Sequence, residues 1–114
     1  MMTRGAVSDA SFHHGRLDAV SDIWQAVCNG VDDRTAISLA ESCARGVTPS
    51  HPGARHFYLV ESGAYDESFC AGVQYAARTV RAAVNRGVPI QTAILREEGR
   101  ATARLRQSAR RRRR

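Results

Sequence analysis

Lysine is absent from this chain of 114 residues, so all 17 of its basic side chains are arginines. Beside so many alanines and glycines, that bias fits a GC-rich coding sequence and carries little functional weight alone. Aromatic residues are scarce at 6%, which limits what large rings can add to a core. No run approaches the roughly 20 consecutive apolar residues that a membrane-spanning helix needs. The first ten residues also lack the apolar centre of a secretory signal. A cytoplasmic protein without a membrane partner is expected, nuclear or nucleoid-associated where the host allows it. Cysteines are few: Cys28, Cys43 and Cys70. An odd number at wide spacing argues against a disulfide framework, and free, buried thiols are expected. The pairs His13–His14 and His51–His56 lack cysteine or acidic partners at ligand spacing, so no metal and no other cofactor is expected.

What is present is a sharp charge asymmetry. Residues 1–95 hold eight arginines against nine acids, a net of −1, whereas residues 96–114 hold nine arginines against Glu97 and Glu98, a net of +7. The length fits one small domain with a thin core. A flexible lead at 1–15, a small α+β body at 16–95 and a basic arm at 96–114 follow from this division.

In the body, Leu17, Val20, Ile23, Trp24 and Val27 recur at helical spacing and predict a helix over 16–29, with Trp24 the largest core side chain. Asn29 and Gly30 supply its stop. A second helix is expected over 33–45, capped by Asp32 or Asp33 and ended by Gly46, with a small-residue face of Ala36, Ala40 and Cys43. The short turn between them invites a DNA-binding helix-turn-helix interpretation. The second helix sets Arg34 and Arg45 against Asp33 and Glu41, so its face is not basic and a packing hairpin is the better expectation. Pro49, Pro52 and Gly53 then mark an irregular connector.

Phe57, Tyr58, Leu59 and Val60 form a β-prone run, Ser62-Gly63 a turn signal, and residues 68–73 a return strand, which together predict a β-hairpin. A third helix over 74–86 carries Ala76, Val80, Ala83 and Val84 on one side and Arg78, Arg81 and Arg86 on the other. Residues 88–95 are expected as a third strand, with Pro89 confining it to an edge. The stretch Tyr58-Leu-Val-Glu-Ser-Gly-Ala-Tyr65-Asp66 resembles the Tyr-x-Val-x-Ser-Gly-x-Tyr opening of small phage and prophage domains, in which a return strand and an Ala-rich helix follow. The resemblance covers about 30 residues and the family has no assigned reaction. It implies a mobile-element origin and a binding role. The candidate interaction surface of the body is Tyr58, Tyr65, Asp66, Arg78 and Arg81. The cluster His56, Tyr65, Asp66 and Glu67 is the sole candidate for acid–base chemistry, and a solvated acidic loop explains it better. No enzymatic activity is expected.

The arm contains Arg100, Arg104, Arg106, Arg110, Arg111, Arg112, Arg113 and Arg114. Free in solution its arginines repel one another, and a disordered segment is expected. Against a polyanion each contacted phosphate releases a condensed counterion, and the planar guanidinium grips phosphate in two places. Residues 107–114 resemble the arginine-rich peptides of viral RNA-binding proteins. The expectation is an accessory protein that binds RNA or DNA electrostatically through the arm, with little sequence specificity because the arm has no aromatic residue on which bases could stack. The alternative is a protein-interaction module or inhibitor of a host factor, whose arm meets an acidic surface.

Overall fold

The computed structural model describes residues 2–46 and 67–113, with side chains from 9 to 42 and from 68 to 110. These residues form four helices: α1 Met2–Cys28, α2 Asp33–Gly46, α3 Glu67–Asn85 and α4 Ile90–Arg113. No strand occurs among them, so the expected α+β fold gives way to a helical one. The first run of the expected hairpin, with Tyr58, lies outside the described residues.

Each correction has a local cause. Residues 68–73 are the first turns of α3 rather than a return strand. Phe69, Val73, Ala76, Ala77, Val80 and Ala83 are all buried, and their spacing of three and four residues is one continuous helical stripe. Residues 88–95 likewise begin a helix. Pro89 precedes it, where a missing N–H costs nothing, and its carbonyl accepts the Ala93 amide at 3.0 Å. Ile90, Ala93, Ile94, Glu97 and Ala101 then face inward. The expected lead at 1–15 belongs to α1, which runs unbroken to Cys28.

Two turns share one geometry. Gly30 and Gly87 both adopt positive φ, 93° and 97°, which glycine reaches without a Cβ penalty. After α1, the Gly30 amide donates to the Val27 carbonyl and the Val31 amide to that of Ala26. After α3, Gly87 donates to Val84 and Val88 to Ala83, all four at 3.0 Å. This paired pattern closes a helix end by satisfying its last carbonyls, with an apolar residue folding back just beyond. Val31 and Val88 supply that residue and pack on the core. Asp32 caps α2: its Oδ2 accepts the Thr35 amide at 3.0 Å and its Oδ1 accepts the Thr35 hydroxyl at 2.7 Å. These bonds hold the Asp32 carboxyl below its ordinary pKa.

Helices α1 and α3 form the central pair, and α2 and α4 each lie against both. Seven of the fourteen residues in the core cluster are alanines, so helix axes come close instead of being held apart by large side chains. The closest approach is at Gly15 and Gly72. A Cβ on Gly15 would be driven into the Phe69 carbonyl, and one on Gly72 into the Phe12 carbonyl. Phe69 is the largest fully buried side chain. Trp24, expected to fill that role, is 39% exposed, and Cys28, expected buried, is exposed while Cys70 is half-buried.

Candidate nucleic-acid interface

The arm is a helix with two unlike faces. Its inner face is part of the body: Glu97, Ala101 and Ser108 are buried. Glu97 accepts from Arg16 Nε of α1 at 2.6 Å, and the Ser108 hydroxyl donates to Asp9 Oδ2 at 2.8 Å. These contacts, together with the groove where Trp24 meets Ile94 and Leu95, run α4 antiparallel to α1. The expected disorder of the arm is thereby corrected over 96–113. Arginine repulsion is offset because alanines and two polar anchors attach the helix to the core.

Its outer face carries the charge. Arg96, Arg100, Arg104, Arg106 and Arg110 are all exposed. Arg96, Arg100 and Arg104 recur every four residues and so form a row with about 6 Å between steps, with Arg106 and Arg110 in a second row roughly 120° round the helix. Arg111, Arg112 and Arg113 continue the helix; Arg114 lies outside the described residues. Five guanidinium groups thus sit on one rigid rod, whereas α1 carries Asp9, the buried Asp18 and Asp22.

Beneath the arginine rows lies a polar seam. Arg16 and Glu97 side chains are 6% and 1% exposed, a buried ion pair. The second Glu97 oxygen, Oε1, is buried without a hydrogen-bond partner among the described residues. An Arg16 terminal nitrogen lies 3.1 Å from His13 Nδ1, and His13 Nε2 lies 3.7 Å from Asp9. Burial pushes the His13 pKa below its usual value. Arg16 and Arg104 add to that push, while Asp9 and Glu97 oppose it. Arg104, although exposed, is therefore close enough for its charge to be felt at His13.

Aromatic rings flank the seam on the α3 side. The Arg16 guanidinium lies 4.9 Å from the centre of the Tyr75 ring. Phe12 is 5.5 Å from Tyr75 and meets His13 edge-on at 5.3 Å. Tyr75 is 48% exposed; it falls within the helix expected over 74–86, but nothing local in the sequence shows that Phe12 and Arg16 of α1 meet its ring. The 81-residue separation of Arg16 and Glu97 left no local signal for their pairing.

Of the expected interaction surface, Tyr58, Tyr65 and Asp66 lie outside the described residues. The other two members are tied to α2: Arg81 donates to Glu41 Oε1 at 2.8 Å and Arg78 Nε lies 3.5 Å from Glu41 Oε2. Arg81 clamps α2 to α3, while the Arg78 side chain remains 66% exposed. Among the described residues no group of three His, Cys, Asp or Glu side chains could hold a metal, and no helix is long and apolar enough to cross a membrane. In comparisons with known proteins, no family model, no curated protein and no solved structure matches the chain.

Proposed function

We propose that this protein binds nucleic acid through the arginine face of α4. The observation that carries this is the exposed set Arg96, Arg100, Arg104, Arg106 and Arg110 on a helix whose opposite face is locked into the core. A folded rod loses less conformational entropy on binding than a disordered tail would. The charge sits almost wholly in residues 96–114, so a polyanion would meet one helix and not the whole molecule. Binding of this kind is dominated by counterion release and is largely indifferent to sequence.

The test is binding to labelled duplex DNA across a salt series. Deleting the arm would remove Ala101, Glu97 and Ser108 from the core, so the comparison is a variant with Arg100, Arg104, Arg106 and Arg110 all changed to Gln. Those four side chains are exposed and Gln is a good helix former, so the fold is retained. The native chain should show a log–log slope of roughly −3 to −6, for about four to seven phosphate contacts. The variant should lose most of it. Negligible binding by both rejects nucleic acid as the partner, and a slope that ignores the substitutions rejects these four arginines as its binding site.

One observation favours a protein contact as the second function. Trp24 and Leu95, 39% and 57% exposed, line a groove of about 410 Å³ between α1 and α4 together with Leu17, Val20 and Ile94. A half-exposed tryptophan in a groove is the kind of side chain on which the binding energy of a protein partner concentrates.

A further inference from the structure

We infer that Tyr75 is a stacking platform for an unpaired base, so that the partner of this protein is a single strand and not a duplex. This rests on the nucleic-acid function proposed above and refines it. Tyr75 lines an open depression of about 450 Å³ on the outer side of α3, with Phe12, Gln74, Arg78 and Thr79 around it. A nucleobase needs a flat π-face, edge partners that both donate and accept, and a cation for its phosphate. The depression holds all three. Tyr75 is a half-exposed ring braced by Phe12 at 5.5 Å and by the Arg16 guanidinium at 4.9 Å. The Gln74 amide and the Thr79 hydroxyl each donate and accept. Arg78, its side chain two-thirds exposed, stands at the rim.

Buried side chains link the depression to α4 through the bundle. Arg16, stacked on Tyr75, is bonded to Glu97 of α4. His13, which lies edge-on to Phe12, feels the charge of Arg104. In this arrangement a strand's phosphates would follow the α4 arginines while one of its bases turns onto Tyr75. A duplex cannot, because its bases are already paired and stacked within the helix. Aromatic platforms beside basic grooves are how single strands are held without reading their sequence.

The test compares a labelled oligothymidylate of about 12 nucleotides with a DNA duplex of equal phosphate number, at one low salt concentration. The chains are the native protein, Tyr75→Phe and Tyr75→Leu, each checked for an unchanged thermal midpoint. The native protein should prefer the single strand. Tyr75→Leu keeps the apolar volume but loses the ring face, and should weaken single-strand binding about 5- to 100-fold while leaving the duplex affinity unchanged. Tyr75→Phe should bind as the native protein does. Unchanged single-strand binding by Tyr75→Leu overturns the platform and leaves electrostatic binding through α4 standing. An equal loss on both nucleic acids also overturns it, since Tyr75 would then act only through the fold. No binding of either by the native protein removes both the platform and the function it rests on.

Discussion

Arg16 and Glu97 are two opposite charges taken out of water, with one carboxylate oxygen unsatisfied among the described residues. Desolvation of such a pair roughly cancels its attraction, so its net contribution to stability is small, but removing one partner strands the other. Arg16→Met should therefore cost about 3–5 kcal/mol, whereas Arg16→Met with Glu97→Leu should return to within about 1 kcal/mol of the native chain or exceed it. Chemical denaturation of the single and double variants measures both. A single-variant loss under about 1 kcal/mol is what a surface ion pair gives, and would show that the pair is not buried in solution. The role of these residues is then orientation: they fix which face of α4 turns inward, and so which arginines turn out.

At the level of the helix, glycine has opposite consequences in two places. Gly15 and Gly72 sit where α1 and α3 touch backbone to backbone. Alanine at either site gains about 1 kcal/mol of helix propensity, yet its methyl group meets a carbonyl that no side-chain rotation can move. Overpacking wins, and each substitution should destabilise by about 2 kcal/mol or more. Gly99 lies on the outer side of α4 with nothing near its would-be Cβ, so Gly99→Ala should stabilise by about 1 kcal/mol. Thermal melts followed by circular dichroism test all three, and a gain at Gly15 would refute the close crossing. The helix ends were legible from sequence, since Gly30, Asp32 and Gly46 are short-range signals that need no tertiary partner. The residues at 68–73 and 88–95 were not read correctly. Cys70-Ala71-Gly72 and Pro89 look like turn or strand punctuation locally, and only the inward stripe continuing through Ala83, or through Ala101, shows them to be helical.

For the whole molecule, the arginine segment was legible as the charged part, but its state was not. Composition favours disorder when a segment has nothing to bury, and Ala101 and Ser108 disclose their burial only once α1 extends far enough back to meet them. Asp9, Ser11 and His13 look like a solvated lead in isolation, yet Ser11 and His13 are buried. The extended α1 is thus the element that turns a tail into a wall of the bundle.

Because that wall carries both the core contacts and the charge, the chain presents its arginines as one arranged set only when folded, and cannot lose α4 without losing that set. Ligand occupancy and folding are therefore one coupled equilibrium. Any polyanion that prefers the arranged arginines must raise the melting temperature: by about 2.7 kcal/mol, or roughly 10 °C, at a ligand concentration a hundredfold above Kd. A melting temperature unmoved by saturating oligonucleotide would mean that binding, if observed, uses arginines detached from the bundle. The same coupling works in reverse, so a cell's supply of partner would set how much of this thin-cored protein survives as folded chain.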